Sequence, residues 1–254
     1  MKFLFEAALS RINYFWQNPP ITCISIGNDS DYVILLHALA KTYHSMHRIE
    51  KALNNEGYIV YNLDYPSRKY PIEVLSEKFL TKAINKLCTD KKKKINFVTH
   101  SLGGIVVRKY LQDHPQLNIG RVVMIAPPNQ GSEIVDCMKS NYFLGRLFTW
   151  FFGPAAAQLS SQKKSYVNTE LEQIVKYELG IIAGDRCINP TVSFIIKNLN
   201  DGRVSIKNTK IQGMSDHIVI HSPHCYINTN SECIKQVSYF LNYGQFYREN
   251  NNNN

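Results

Sequence analysis

The stretch Asn96-Phe97-Val98-Thr99-His100-Ser101-Leu102-Gly103-Gly104, continued by Ile105-Val106-Val107-Arg108-Lys109-Tyr110-Leu111, sets the frame for the whole chain. Its first part is a short strand-like apolar run, its second part carries a helical pattern, and a serine stands between them with glycine two residues on. A serine at so sharp a strand-to-helix turn takes up strained backbone geometry, so the positions two before and two after it must be small. In return its hydroxyl is exposed at a helix N-terminus, where free backbone N–H groups and the helix dipole favour developing negative charge. The pattern is G-x-S-x-G with Thr99 in the first position, a bulkier residue than glycine. An ordinary N-cap serine is the plainer alternative. Strand before, helix after and paired glycines favour a nucleophile.

On either side of this turn, short apolar runs alternate with helical-period segments, the signature of a parallel sheet wrapped by helices. The expected strands are Tyr32–Leu36, Tyr58–Tyr61, Ile95–Val98, Arg121–Ile125 and Leu179–Ala183. Pro71 opens a helix whose stripe is Ile72, Leu75, Phe79, Ala83 and Leu87. Another helix covers roughly Tyr43–Asn55 and ends at Gly57, and a third follows Ser101 and stops before Pro115. With 254 residues, 44% hydrophobic and 19% charged, the chain can bury a sizeable core. The pattern predicts an α/β fold: one mostly parallel, doubly wound sheet with helices on both faces and a helical cap insert.

The insert is the segment from about 130 to 177, far longer than a βα crossover needs. It holds Tyr142-Phe-Leu-Gly-Arg-Leu-Phe-Thr-Trp-Phe-Phe152. Read as structure, this helix packs its rings into the core. Read as function, it caps an apolar acyl pocket, with Phe143, Phe148, Trp150 and Phe151 on the lid or pocket wall.

A nucleophilic serine needs a base, and the base needs an orienting carboxylate, in the chain order serine, acid, histidine. Downstream of Ser101 lie His114, His217, His221 and His224. His114 falls at the far end of the helix that Ser101 begins, about a helix length away. The cluster Asp216-His217-Ile-Val-Ile-His221-Ser-Pro-His224 remains, and Pro223 keeps His221 and His224 off a shared helical face, which argues against a metal site. For the acid, Asp201 in the turn Asn200-Asp201-Gly202-Arg203-Val204 is preferred over Asp185, which has Arg186 beside it. One oxyanion donor could come from the stretch Leu35 to Ala40, another from the N–H of Leu102. The pair His44 and His47 lacks acidic or cysteine partners nearby and reads as a solvated helix face.

The ends and the charge add less. Phe5, Leu9, Ile12 and Trp16 give residues 1–20 the spacing of an amphipathic helix, while Glu6 and Arg11 interrupt the apolar run that a signal peptide needs. No stretch is long and apolar enough to span a membrane. Residues 248–254 form an asparagine-rich tail expected to be disordered, which leaves 21–247 as one domain. Six cysteines without a C-x-x-C pair make neither a disulfide scaffold nor a zinc motif. Cytoplasmic or membrane-peripheral placement is favoured over secretion. The formal charge of +9, from 29 Lys and Arg against 20 Asp and Glu, is spread along the chain. By itself it permits an anionic membrane surface, nucleic acid or an acidic substrate as partner, and the motif order of serine, acid and histidine then leaves peripheral membrane contact open and no nucleic acid. Oligomeric state is not legible.

Taken together, several motifs resemble those of the α/β-hydrolases, and more narrowly of the bacterial lipases and esterases, over roughly residues 30 to 245. They are Leu36-His37-Ala38-Leu39, Tyr65-Pro66-Ser67, the turn Thr99–Gly104, Ala126-Pro-Pro-Asn-Gln-Gly-Ser132, Asp201-Gly202-Arg203-Val204, and Gly213-Met-Ser-Asp-His-Ile-Val219 leading to His224. The resemblance implies Ser101 as nucleophile, Asp201 as orienting acid and His224 rather than His221 as base. It also implies backbone donors at Leu39 and Leu102. It departs from the family at Ala38 and Thr99, where glycine is usual. The activity implied is hydrolysis of a small-molecule or lipid-like carboxylic ester through an acyl-enzyme, with no cofactor and no metal. A thioesterase or acyltransferase would use the same triad, and a non-catalytic binding module on this fold is the reading of a different class.

Overall fold

Side chains alternate across a strand, so a strand covered on both faces must be apolar throughout. In the computed structural model, which describes residues 21–24 and 30–249, strand β2 (Tyr32–Leu36) is buried at all five positions. Ile34 and Leu36 enter one core, Val33 and Leu35 the other. The remaining strands are β1 (Ile21–Ile24), β3 (Ile59–Leu63), β4 (Ile95–His100), β5 (Ile119–Ile125), β6 (Leu179–Gly184) and β7 (Asp216–Ile220). They form one sheet in the order β1-β3-β2-β4-β5-β6-β7. Every neighbouring pair is parallel except β1 with β3. β1 lies outside the five expected strands because a four-residue edge strand carries too little pattern to register.

Helices cover both faces. Helix α1 (His47–Asn55) supplies Ile49 and Leu53 to the core that holds Val33, Leu35 and Val98. Helix α2 (residues 72–87) and helix α3 (Leu102–Asp113) supply Ile72, Leu75, Ile105 and Val106 to the core of Ile34, Leu36 and Phe97. Removing a ring such as that of Phe97, which has no exposed surface, costs about 3–5 kcal/mol.

Helix α2 corrects one expectation. It is built from Ile72–Val74, a π-helical segment Leu75–Leu80, and Thr81–Leu87. The wider π turn moves the inward stripe on by one residue. Leu80 is therefore buried where Phe79 was expected, and Phe79 packs at the margin against Tyr70. Strand β5 also begins two residues before Arg121. Gly120 allows it: a Cβ there would stand 2.2 Å from Asn96 Oδ1, the same oxygen that accepts the Arg121 N–H.

Between β5 and β6 the chain forms α4 (Glu133–Lys139), α5 (Tyr142–Phe152) and α6 (Pro154–Gln158). Asn141 caps α5 by accepting the N–H groups of Phe143 and Leu144. The rings of α5 do not enter the core, since none of its residues is buried. Ala155 and Ala156 of α6 are buried instead. Gly153 joins the two helices at φ +85°, and a Cβ on it would fall 1.8 Å from the Arg68 carbonyl oxygen, so no other residue fits there.

The last helix, α7 (Ser231–Tyr243), seats Val237 and Phe240 beside Val123 and Ile182. Beyond it Arg248, which the sequence reading assigned to the tail, makes two hydrogen bonds to the Asp216 carboxylate. Burial alone would raise the Asp216 carboxyl, but Arg248 and the N–H groups of Phe246 and His217 hold it below its ordinary value. The expected N-terminal helix and the asparagine run from residue 250 lie outside the described residues. Among the described residues no helix is long and apolar enough to cross a membrane. Among them, too, no three His, Cys, Asp or Glu side chains are grouped to hold a metal ion.

Candidate active site

Ser101 stands where β4 turns into α3, with φ +54° and ψ −118°. A β-carbon residue avoids that region, so the turn is held from outside. Its N–H donates to the Ile125 carbonyl at the end of β5, 2.8 Å away, and its own carbonyl accepts the Gly104 N–H at 3.0 Å. Glycine is required on the helix side. A Cβ at Gly103 would lie 2.8 Å from the Leu36 carbonyl oxygen and 2.9 Å from Leu36 Cβ, and those atoms belong to the neighbouring strand. Thr99, the departure in the motif, is fully buried and uses the space that Gly104 leaves open, where a Cβ would meet Thr99 Oγ1 at 3.2 Å.

Two other segments meet this serine. His224 Nε2 is 3.0 Å from Ser101 Oγ, and His224 Nδ1 is 2.7 Å from Asp201 Oδ2. All three residues are buried. The second Asp201 oxygen accepts the N–H groups of Arg203 and Val204, each at 2.9 Å, so the carboxylate is fixed by its own turn. Gly202 at φ +93° closes that turn, and the His224 N–H donates to the Asp201 carbonyl, which lays the two segments side by side. Gly184, at the end of β6, went unnoticed in the sequence. A Cβ on it would come within 2.4 Å of the Ser222 carbonyl oxygen and 2.8 Å of Asp201 Cβ.

The other candidates point elsewhere. His221 pairs with Asp185 at 2.9 Å, with the imidazole 74% exposed. His217 lies next to Thr209 Oγ1, and burial, then Lys210, push its imidazole down to about 4. His114 caps the end of α3 against the Tyr110 carbonyl. His44 is exposed and His47 lies 3.3 Å from Glu50.

His100, beside the serine, is given no role by the sequence pattern. Its ring centroid is 5.0 Å from that of His224. Burial first, and then the neighbouring His224, hold it well below the usual histidine range. His100 is therefore neutral and adds no positive charge that would oppose a proton on His224.

The loop after β2 is braced by the Tyr65-Pro66-Ser67 motif. Tyr65 Oη donates to the His37 carbonyl at 2.6 Å, and Ser67 Oγ accepts the Ala40 N–H at 3.0 Å. Ala40 is held at φ +56°. Leu39 lies in this loop and lines the cavity at Ser101. Leu102 opens α3, so its N–H has no acceptor within the helix. Ala38, where glycine was usual in the resemblance, sits buried in the loop without a positive φ.

The acid loop and the loop after β5 are tied to the same scaffold. Ser132 Oγ donates to the Arg203 carbonyl at 2.7 Å, and Asn129 Nδ2 to the Thr209 carbonyl at 2.8 Å. Arg108, buried on α3, donates to Asn129 O, Asn129 Oδ1 and Glu172 O. Burial lowers this guanidinium to about 10.

A cavity of about 300 Å³ opens at Ser101 and His224. Its apolar wall includes Ile134, Val135, Phe148, Phe152, Ala156 and Leu159. Of the four aromatics expected there, Phe148 alone lines it. Phe143, Trp150 and Phe151 are exposed by 72%, 77% and 53%. The helical period explains the correction: Phe148 and Phe152 share an edge at i, i+4, Phe143 and Trp150 lie on the opposite side, and Phe151 lies on the flank between.

No curated protein matches this sequence. Solved structures match its fold. The lipase BlEst2 of Bacillus licheniformis in its propeptide form superposes with a TM-score of 0.71 at 14% identity, over 90% of this chain and 54% of that one. The chain thus spans about half the length of that form. The mature form of the same lipase gives 0.68 at 15% identity over 89% and 98%. The phospholipase PlaB of Legionella pneumophila gives 0.58 at 18% identity over 73% and 45%. Sheet order, helix placement and these likenesses together make this an α/β-hydrolase fold. A family model described as a domain of unknown function, DUF7379, matches residues 77–231, which take in Ser101, Asp201 and His224. That is more than half of the sequence, and the chain belongs to the DUF7379 family.

Proposed function

We propose that this protein is a serine hydrolase of carboxylic esters that works through an acyl-enzyme on Ser101. The observation that carries the reading is the continuous hydrogen-bonded line Asp201–His224–Ser101, drawn from three separate segments and ending at a strained turn beside an apolar cavity. Chance seldom aligns an acid, an imidazole and a hydroxyl in that order. The presence of a lipase, a phospholipase, a carboxyl esterase and a thioesterase among the solved structures of like fold supports it.

In the first step Ser101 Oγ attacks the ester carbonyl carbon while His224 Nε2 takes the hydroxyl proton. Asp201 keeps Nδ1 protonated and facing it, and stabilises the imidazolium. The negative charge on the carbonyl oxygen is met by the backbone N–H groups of Leu39 and Leu102. Collapse expels the alcohol, which receives its proton from His224. Water then repeats the sequence on the acyl-serine and releases the acid. The acyl group occupies the wall of Ile134, Val135, Phe148 and Phe152.

The test is labelling by an active-serine fluorophosphonate probe. Wild-type protein is expected to label, and Ser101→Ala and His224→Ala to lose the label. Label retained in Ser101→Ala, or none on wild type, would overturn the assignment.

A further inference from the structure

Helix α5 divides into two faces by the helical period. Gly145, Phe148, Thr149 and Phe152 turn towards the protein and are partly covered. Tyr142, Phe143, Leu144, Leu147, Trp150 and Phe151 face outward, and all six are exposed, Tyr142 by 79%. Monomeric soluble proteins rarely leave a contiguous apolar patch of more than a few hundred Å² in water. A helix face carrying six large side chains with none buried needs a partner.

The charges nearby select one. From Lys139 to Thr169 the chain holds Lys139, Arg146, Lys163 and Lys164 and no aspartate or glutamate. Arg146 lies over the Tyr142 ring at 5.7 Å, and Arg68 lies over the Phe151 ring at 5.6 Å while donating to the Phe151 carbonyl. Lys69 is exposed next to it. Tyrosine and tryptophan among aliphatic side chains, rimmed by long cationic ones, suit the boundary between lipid headgroups and acyl chains. An anionic lipid leaflet answers both the rings and the charge in one surface.

We propose that the outer face of α5 docks on an anionic bilayer, with Phe143, Leu147, Trp150 and Phe151 inserted at the acyl boundary and Arg68, Lys69 and Arg146 on the headgroups. Phe148 and Phe152 on the inner face line the cavity, so the docking helix is also a wall of the site. The proposal stands on the helix and its charges and does not require the hydrolytic reading to hold.

The experiment is vesicle co-sedimentation with full-length Ser101→Ala protein, which leaves the lipid intact. Vesicles of phosphatidylcholine alone are compared with vesicles carrying roughly a third phosphatidylglycerol. Binding is expected to the anionic vesicles and to weaken with added salt. Phe143→Ser with Trp150→Ser is expected to weaken it by roughly tenfold or more, and Arg146→Glu by roughly fivefold or more. In a Trp16→Phe background the emission of Trp150 is expected to shift to the blue on binding. Equal binding to both vesicles, binding unmoved by the paired serine substitution, or a Trp150 spectrum unchanged by anionic vesicles would overturn the proposal. So would a dimer in lipid-free solution that the same substitutions dissolve and vesicles do not compete away.

Discussion

The turn at Ser101 and the helix α5 border the same cavity and are built in opposite ways. From Thr99 to Gly104 every residue is buried, and the backbone is pinned by β5 behind it and by Leu36 beside it. Along α5 nothing is buried, and large rings face water. Charge that develops during a reaction is stabilised only by groups already held in place, so the reacting end is over-determined. An apolar surface meant for another phase gains nothing from burial in its own core. The contrast separates what must not move from what must remain accessible.

Five substitutions, one of them read in a pH titration, break or sharpen that contrast. The largest effect is expected for Asp201→Asn, which offers an amide N–H where His224 needs an acceptor; hydrolysis of a soluble p-nitrophenyl ester should fall about 10⁴-fold, and a rate within tenfold of wild type would dissolve the distinction. Gly103→Ala adds a methyl group against Leu36 backbone and should cost about 2 kcal/mol, read from the urea midpoint. pH acts on the same half of the molecule. Because burial holds His217 at about 4 against an ordinary 6.5, the native state resists a proton that the unfolded chain accepts. Stability is therefore complete above about 6.5 and falls as pH drops from there towards 4. The thermal midpoint should follow this slope, and His217→Gln should make it shallower, with the buried His100 keeping the remainder.

In α5 the signs change. Gly145→Ala meets nothing closer than Lys139 Cα at 3.5 Å, so it should stabilise by about 0.5–1 kcal/mol through helix propensity. That is opposite to the effect of the same substitution at Gly103. Smallest of all, Trp150→Ser should move folding stability by less than about 0.5 kcal/mol, since its ring has little protein to leave. A large loss of stability there would mean that α5 is part of the core after all.

Local patterns were legible wherever one residue type answers one local demand. The serine with glycines after it, the run of buried strands and the Asn200–Gly202 turn each need only a few neighbours to make sense. The three histidines 217, 221 and 224 could not be separated by pattern alone. They lie within eight positions, and what distinguishes them is whether Thr209, Asp185 or the pair Asp201 and Ser101 comes to meet them. The π turn in α2, which trades Phe79 for Leu80, was hidden for a similar reason, since both residues are apolar and either register fits the string.

The amino-acid order by itself determined the alternation of strands and helices, the strained serine and the candidate acid, because backbone sterics and side-chain period act over a few residues. Tertiary structure alone decided which imidazole reaches Ser101, why Gly184 must be glycine, and which edge of an aromatic-rich helix faces the cavity. Those are questions of approach between segments that lie as many as 123 positions apart, as His224 and Ser101 do. No local preference carries that distance; only the packing of the sheet and its helices closes it.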